Sequence, residues 1–283
     1  TIVRAALTRK RVRTFMTVAS IATAFLLFSL GRSVAVAFTN EVDYAGKDRL
    51  VVSSKLSFTQ AMPMAYANRI EAIEGVDRVA WRQWFGGTYI DRSNFFPKWP
   101  VPDSYFDVFP EYIISEGGRE AFSQNIQGMI AGADLAERYG WKIGDRIPII
   151  GDIWVKSDNS NNWEFDLVGT FTNANGGEQD EAYINWKYFD ESRGFEKGLV
   201  GQFAVKIRDP SQAENIAKDI DALFANSPDE TKTSTEEAFS RMFAEQVGDI
   251  GFIINSVLAA SFFTILLLTA NTMSQAVRER TNE

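Results

Sequence analysis

The sequence predicts an α+β membrane protein in which two transmembrane helices enclose an outer domain, a split βαβ unit that carries an inserted mixed α/β subdomain. Three observations support this fold class. Two long uncharged segments, 14–31 and 250–277, lie near the ends of the 283-residue chain. The residues between them are rich in acidic side chains, whereas residues 1–40 carry six basic and no acidic ones. The strand and helix patterns at the two ends of the middle segment resemble each other, which is typical of a split βαβ unit.

The two uncharged segments contain 18 and 28 residues. A membrane-spanning helix needs about 20 mostly apolar residues, so both segments can cross a bilayer. Five basic residues precede the first segment and two follow the second. Because basic residues favour the cytoplasmic side, we expect both ends of the chain in the cytoplasm and the acidic middle segment on the outer side.

A cleaved signal peptide is the alternative for the first segment, because Ala35-Val36-Ala37 resembles a cleavage site. The apolar run is, however, longer than the usual length of about 7–15 residues. Arg32 also separates this run from the cleavage-like site. We therefore predict an uncleaved span, with Arg32 reaching the outer membrane interface.

The outer domain begins and ends with matching strand and helix patterns. In the first half, a helix with an apolar stripe ends at Gly75. In the second half, Asp209 and Pro210 provide an N-cap followed by proline at the first helical position. The predicted elements are strand 48–54, helix 59–74, strand 76–85, strand 202–208, a helix to residue 224 and a short strand near 231–234.

An insertion, residues 92–199, separates these two halves. Its predicted elements are a short helix, 133–139, closed by Gly140, and strands at 146–150, 163–171 and 182–186. Strand 163–171 has the clearest alternation of apolar and polar residues. The polar segment 157–162 is predicted as a turn and lacks the glycine and glutamate of a calcium loop.

The last helix determines how the outer domain joins the membrane. Ser234 and Glu237 have the spacing of a capping box, and a single helix over 236–277 would be about 63 Å long. Since the bilayer core accounts for about 30 Å, the remainder is predicted to project outward as a stalk. The resulting division is a cytoplasmic segment 1–13, a first span with outer extension 14–41, a split βαβ unit 42–91 and 200–234, an insertion 92–199, a stalk and second span 235–277, and the start of a cytoplasmic loop 278–283.

Composition excludes several classes of function. The chain has no cysteine and no histidine, so it cannot form disulfides or use cysteine or histidine in catalysis or metal binding. Its net charge of −8 argues against a nucleic-acid partner. It lacks the nucleotide-binding pattern G-x-x-x-x-G-K-[ST]. The acid pairs Asp180-Glu181 and Asp229-Glu230 fit solvated loops better than catalysis. The sequence therefore predicts no catalytic residue, cofactor or metal.

An aromatic run is the best candidate for a ligand site. Stacking on these rings could hold a sugar or a lipid-like cargo, but aromatic residues also fill cores and subunit contacts. Both alternatives stay open at this stage. The residues are Trp81, Trp84, Phe85, Tyr89, Phe95, Phe96 and Trp99.

The ordered motifs of the chain resemble the FtsX/MacB-like ABC transporter permease family. The first span and its basic flank, RKRVRTFMTVASIATAFLLFSLG, resemble the start of such permeases. The second span ends in ANTMSQAVRERTNE, which resembles the family's entry into a cytoplasmic loop. Between them, PDSYFDVFPEYI, IAGADLAERYGWKIGDRIPI, WEFDLVGTF and ANSPDETKTSTEEAFSRMFAEQVGDIG resemble one bacterial subgroup.

The resemblance implies a permease in the bacterial inner membrane with its large, porter-like domain in the periplasm. It also implies four spans, a second permease subunit (identical or paralogous), a cytoplasmic ATPase and, in some relatives, a periplasmic adaptor. The present chain would then be a fragment that stops before the third and fourth spans. Arg278, Glu279 and Arg280 would lie at the start of the loop that meets the ATPase.

Three hypotheses therefore compete, of which the third, an outer enzyme anchored at both ends, is disfavoured by the absence of histidine and cysteine and would depend on carboxylate chemistry. The first is a non-catalytic permease subunit that couples ATP hydrolysis by its partner to movement of a periplasmic domain. The second is a two-span receptor with an outer sensor domain. A receptor would continue beyond residue 283 into a signalling segment, whereas a permease would continue into further apolar spans.

Overall fold

The computed structural model describes residues 46–176 and 179–242, together with single positions inside the two predicted spans. Those single positions are helical, and the ring of Phe25 lies 5.7 Å from the ring of Phe262. Within the described part of the chain, no helix combines the length and the hydropathy needed to cross a bilayer. Most of both predicted spans and the predicted helix beyond residue 242 lie outside that part, so the transmembrane helices stay a prediction.

A small antiparallel sheet combines strands from both ends of the outer segment. In spatial order its four strands are β13 (Thr231–Thr235), β1 (Arg49–Ser54), β12 (Gln202–Ile207) and β3 (Val76–Arg82). Helix α1 (Tyr66–Glu71) precedes β3, and helix α6 (Ala213–Leu223) lies between β12 and β13. This interleaved order is that of a split βαβ unit.

A larger mixed sheet is formed by the chain between β3 and β12. In spatial order its strands within the described residues are β4 (Thr88–Tyr89), β8 (Arg146–Ile150), β9 (Asn162–Asn173), β7 (Gly128–Gly132), β10 (Ala182–Asn185) and β5 (Lys98–Val101), with β6 (Tyr112–Ile114) paired to the far end of β9. The accompanying helices are α2 (Tyr105–Val108), α3 (Gly118–Gln124), α4 (Ala133–Tyr139) and α5 (Trp186–Ser192). A two-residue strand, β2 (Met62–Pro63), pairs with β11 (Leu199–Val200).

Backbone hydrogen bonds connect the edges of the two sheets. Just beyond β3, the Gln83 N–H donates to the Pro100 carbonyl at 3.2 Å and the Phe85 N–H donates to the Lys98 carbonyl at 3.1 Å. The chain that leaves the small sheet therefore pairs at once with β5, the edge strand of the larger sheet.

The small sheet is covered on both faces. Helices α1 and α6 pack on one face, where Ile70 of α1 and Ile216 of α6 join Val205 of β12 in the main core. On the other face, Ala80 and Ala204 pack against Tyr105 and neighbouring rings of α2, which form a second core. The insertion thus supplies the cover for one side of the split βαβ sheet, because a sheet with two apolar faces must bury both.

Local sequence patterns correctly predicted several elements. Helix α4 and strand β8 have the expected bounds, and Gly140 caps α4 in the left-handed conformation at φ 68°. Strand β9 contains the predicted 163–171, with Trp163, Phe165 and Leu167 fully buried. Alternation identified β9 because one face of the strand meets the core and the other meets polar surroundings.

Other boundaries were wrong because tertiary hydrogen bonds compete with local propensity. The helix predicted over 59–74 is only α1, since Met62–Pro63 pairs with Leu199–Val200 instead. The strand predicted over 76–85 ends at Arg82, where the chain switches to β5. Strand β10 ends at Asn185, whose side chain accepts a hydrogen bond from the Lys187 N–H and starts α5.

The N-cap of the last helix is shifted by one residue from the predicted Ser234. Residues 236–242 are helical, and the Ala238 N–H donates to the Thr235 Oγ1 at 3.1 Å. Ser234 remains in β13, paired with Val51 of β1. The helix therefore begins directly at the last residue of an edge strand, with no linker between them.

Candidate functional site

Arg49 lies where the outer domain meets the chain that leads to the two predicted spans. It is the first residue of β1, and Glu236 is the first helical residue after β13. The Arg49 Nε donates to the Glu236 carboxylate at 2.5 Å. The same carboxylate accepts a hydrogen bond from the Gly46 N–H at 2.8 Å. One carboxylate thus ties the beginning of the last helix to the chain that enters β1.

The same guanidinium also binds the insertion. Its Nη2 and Nη1 lie 2.6 and 3.0 Å from the two carboxylate oxygens of Glu111, which directly precedes β6. The side chains of Arg49, Glu111 and Glu236 are 6, 12 and 20% exposed. Burial disfavours the charged guanidinium, but the two carboxylates outweigh burial and raise the pKa of Arg49 above its ordinary value. The cluster is therefore a charged, mostly buried ion triad.

The planar geometry of arginine suits this position. The guanidinium makes a forked contact with Glu111 and a third contact with Glu236, which a lysine ammonium on its single atom could not reproduce in one plane. It also lies over the Phe109 ring, with the Cζ 4.5 Å from the ring centroid. A Cβ atom at Gly46 would meet the Arg49 guanidinium, so a larger residue there would displace this guanidinium from its place between the two carboxylates.

The predicted aromatic run is divided between the interior and the surface. Phe85 and Phe96 are buried; Phe85 packs against Trp163 and Phe165 of β9. Trp81 and Tyr89 are half-buried against the main core, where Trp81 contacts Trp186 and Tyr89 contacts Trp141. These four rings pack against the main core, and a ligand role for the run stays a prediction.

Three members of the run, Trp84, Phe95 and Trp99, form what we call the exposed aromatic cluster; Trp84 and Phe95 are exposed, and Trp99 is half-buried against the second core. The Trp84 ring centroid lies 5.0 Å from that of Trp99 and 6.0 Å from that of Phe95. The Arg82 guanidinium lies over Trp99 at 4.5 Å. The exposed aromatic cluster is the part of the run that a ligand or partner could reach, and this role stays a prediction.

The two carboxylates of the acid pair Asp180-Glu181 bind different partners. Asp180 forms an ion pair with Arg138 at 2.6 Å. Glu181 instead accepts hydrogen bonds from the Trp99 indole at 2.9 Å and from the Tyr183 hydroxyl at 2.6 Å. Burial raises the pKa of Tyr183 well above its ordinary value, and the Glu181 charge adds to this effect. Both carboxylates therefore have structural partners.

Lys98 is a buried cation without an ion pair within the described residues. Its side chain is at 0% exposure, its Nζ donates to the Phe96 carbonyl at 2.5 Å, and the ammonium lies 3.7 Å from the Phe96 ring centroid. Burial lowers the pKa of Lys98 to about 7, and the charge of Asp152 opposes this only in part. Lys98 was not singled out from the sequence, because nothing local marks a lysine as buried.

This burial predicts a pH-dependent contribution of Lys98 to stability. Its pKa is about 7 in the folded domain and 10.5 in the unfolded chain. Between these values the unfolded chain binds more protons, so the free energy of unfolding rises with pH from about 7 to about 10. We expect Lys98→Met to flatten this rise and to stabilise the domain by about 1–3 kcal/mol at neutral pH. Urea titrations of both proteins at several pH values measure it, and parallel pH profiles would contradict it.

Sequence reasoning missed Arg49, Glu111 and Glu236 as a site. An arginine at the start of an otherwise apolar strand was the local signal for a buried charge, but its partners lie 62 and 187 residues away in the chain. The predicted ATPase-coupling residues Arg278, Glu279 and Arg280 lie outside the described residues.

The chain is similar to one known protein family and to solved structures of transporter domains. A family model described as "MacB-like periplasmic core domain" matches residues 15–223, which is more than half of the chain. No curated protein matches it significantly. The fold is similar to the periplasmic region of MacB from Actinobacillus actinomycetemcomitans, at 11% identity and a TM-score of 0.51, over 73% of this chain and 97% of that one.

Two further structures were found at lower TM-scores. They are the extracellular domain of the noncanonic ABC-type transporter YknZ from Gram-positive bacteria (12% identity, TM-score 0.49, 66% of this chain and 100% of that one) and a domain of a putative permease from Porphyromonas gingivalis (16%, 0.43, 66% and 89%). The family model matches more than half of the chain, and the mixed α/β domain has the fold of the periplasmic region of MacB. The chain therefore belongs to the MacB-like periplasmic core domain family of FtsX/MacB-like ABC transporter permeases.

Proposed function

We propose that the chain is part of a permease subunit that transmits movement from a cytoplasmic ATPase to its periplasmic domain, for export or extraction of a substrate. The observation that carries this proposal is the pairing of β1 with β13, from Leu50↔Thr235 to Ser54↔Thr231. The chain before β1 leads from the first predicted span, and the helix after β13 leads towards the second. Relative movement of the two spans would therefore act directly on two neighbouring strands.

Stiff elements connect β1, β13 and the beginning of the last helix. Five residue pairs join β1 and β13, and the last helix begins at Thr235 without a flexible linker. A helix hydrogen-bonded along its length transmits displacement better than a loop, because a loop absorbs it by changing its backbone torsions. The segments that lead towards the two predicted spans thus leave the domain from the same end of two neighbouring strands.

Further parts of the proposal follow from family membership. We place the protein in the bacterial inner membrane, with the ATPase as a cytoplasmic partner, a second permease subunit, surrounding lipid and, in some systems, a periplasmic adaptor. We also propose that 42–91 with 200–234 and 92–199 act as two subdomains. The subunit itself would carry no catalytic residues. Family membership favours this function over the two-span receptor.

Hydrogen exchange of the intact permease–ATPase complex in lipid tests the mechanism. We expect exchange in β1, β13 and helix 236–242 to differ between the ATP-bound and nucleotide-free states, because these elements would carry the movement. Identical exchange in the two states throughout the periplasmic domain would contradict mechanical transmission.

Met242→Pro interrupts the proposed transmission beyond the first turn of the last helix, which begins at Glu236. Proline in a helix interior removes one hydrogen bond and costs about 3 kcal/mol or more, so movement should no longer reach β13. Met242→Ala is the control, since it removes the same side chain without breaking the helix. We expect both variants to assemble with the ATPase and only Met242→Pro to lose the exchange difference.

The proposed topology predicts the activity of reporter fusions. A reporter that is active only in the periplasm should work when fused near Asn159, which lies in an exposed turn, and fail when fused after Glu283. The physical reason is the excess of basic residues before the first predicted span and after the second. Activity at both positions would contradict the two-span topology and with it the permease assignment.

Charge reversal tests the predicted ATPase-coupling end. If Arg278 and Arg280 only anchor the helix at lipid headgroups, each contributes about 1 kcal/mol to membrane attachment. If they also contact the ATPase, Arg278→Glu with Arg280→Glu should weaken co-purification with the ATPase and lower ATP turnover in lipid. Arg9→Glu with Lys10→Glu is the control for headgroup anchoring. Normal assembly and turnover, with correct insertion verified, would remove these residues from the coupling route.

A further inference from the structure

The ion triad of Arg49, Glu111 and Glu236 joins three separate parts of the fold. Glu236 begins the last helix, Arg49 begins β1, and Glu111 belongs to the insertion just before β6. We infer that Arg49 is a positioning residue that makes the insertion move together with the last helix. This inference rests on the proposed function and adds to it the residue that carries movement beyond the small sheet.

The triad lies at the end of the small sheet that is opposite to the covalent connections of the insertion. Pairing places Arg49 opposite Lys206 at one end of the small sheet, and Gln202 opposite Arg82 at the other end. The covalent connections to the insertion leave from the second end, after Arg82 and before Gln202. The bond between Arg49 and Glu111 therefore attaches the insertion to the opposite end, where the chain leads to the predicted spans.

Besides this bond, the insertion is joined to the small sheet by its covalent connections at the far end, by the packing of α2, by side chains of the main core and by an exposed hydrogen bond from the Lys206 Nζ to the Asp107 carbonyl. Its known backbone link to the sheet, between residues 83–85 and β5, is at that same far end. A body attached at one end can tilt about its attachment, whereas attachment at both ends restrains the tilt. The triad thus adds a buried restraint on this tilt at the end of the sheet where the last helix begins.

The surroundings of Arg49 make the connection stiff. The guanidinium rests on Phe109, which stacks on Tyr112 with ring centroids 5.5 Å apart. Tyr112 in turn lies 5.5 Å from Tyr183 of β10. Because these rings belong to the second core, a displacement of Arg49 meets close-packed side chains and cannot be absorbed by a loop.

Movement that separates Glu236 from Arg49 and Glu111 is unfavourable in free energy. If Glu236 moved while Glu111 stayed, one carboxylate would lose the guanidinium while still mostly buried. An uncompensated charge in such a place is strongly unfavourable, so the three groups are held together unless water enters. The two carboxylates also bind different nitrogens of Arg49, so neither has to give up its contact for the other.

Glu111→Gln is the variant that tests the inference. It removes the charge that links Arg49 to the insertion and leaves the bond between Arg49 and Glu236 intact. Glu111→Asp keeps the carboxylate and serves as the rescue variant. Glu230→Gln removes a carboxylate of the same domain that pairs with the exposed Lys55, and it is the control for losing an ion pair elsewhere.

The measurement is hydrogen exchange in the full-length permease with its ATPase, with ATP and without nucleotide. We expect the wild type, Glu230→Gln and Glu111→Asp to show the nucleotide-dependent difference both in β1 and β13 and in residues 105–114. We expect Glu111→Gln to keep the difference in β1 and β13 and to lose it in 105–114. A purely stabilising role would raise exchange equally in both nucleotide states and leave the difference unchanged.

Two results separate failure of this inference from failure of the proposed function. If the wild type shows no nucleotide-dependent difference anywhere in the periplasmic domain, the proposed function fails. If the wild type shows the difference and Glu111→Gln retains it in residues 105–114, the inference about Arg49 is overturned and the proposed function stands.

Discussion

Replacement of Arg49 by alanine is expected to lower the free energy of unfolding of the outer domain by about 3 kcal/mol. Removal of one partner from a buried ion cluster typically costs about 3–5 kcal/mol, because it leaves uncompensated charge. We expect the lower end of that range, since Glu111 and Glu236 are 12 and 20% exposed and can be partly hydrated. The variant also removes the packing of the guanidinium on Phe109.

Tryptophan fluorescence during a urea titration measures this effect. All seven tryptophans of the chain lie between residues 81 and 186, so their fluorescence reports unfolding of the outer domain alone. The control combines Arg49→Met with Glu111→Gln and Glu236→Gln, which removes all three charges together. We expect this triple variant to recover much of the lost stability. A loss below about 1 kcal/mol for Arg49→Ala, as for an exposed ion pair, would show that the triad is not buried in solution.

Truncation of Leu167 is expected to destabilise the outer domain by about 2–5 kcal/mol. Leu167 lies on the inward face of β9 at 0% exposure and belongs to the main core. A leucine-to-alanine change at such a position removes buried apolar surface and leaves a cavity that neighbouring strands can fill only in part. Strand β9 pairs with β7, β8 and β6, so the surrounding backbone has little freedom to collapse into the space.

Asp166→Ala is the matched control for Leu167→Ala. Asp166 is the adjacent residue on the opposite face, where it accepts hydrogen bonds from Asn125 at 3.0 Å and from Arg146 at 3.0 Å. Because Arg146 is half exposed, we expect Asp166→Ala to cost no more than about 1 kcal/mol. Equal losses for the two variants in the same urea titration would mean that the facing of β9 is wrong.

The sequence predicted elements whose signals are local. The alternating run of β9 and the glycine that ends α4 depend on neighbouring residues only, and both were placed correctly. In contrast, β7 was missed, although all five of its residues are buried at the centre of the larger sheet. A strand buried on both faces has no alternation, and this one begins and ends with glycine, which weakens the local signal for a strand.

The aromatic run shows that local sequence could not separate buried rings from exposed ones in the candidate ligand site. The sequence identified a group of seven rings but could not separate Phe85 and Phe96, which are buried, from Trp84 and Phe95, which are exposed. The division depends on how β3 passes into β5, and that passage is determined by hydrogen bonds between the two sheets. Which rings a ligand or partner could reach was therefore decided by tertiary structure.

The sequence by itself determined the distribution of charge, the two uncharged segments, the split βαβ pattern and the family, because each of these is a property of composition or of ordered local motifs. Tertiary structure alone decided the ion triad that joins β1, the insertion and the last helix. Arg49 meets Glu236 across 187 residues and Glu111 across 62. No local pattern encodes such contacts, because they arise only when the strand pairing of β1 with β13 and the packing of α2 on the sheet bring the three charges to one place.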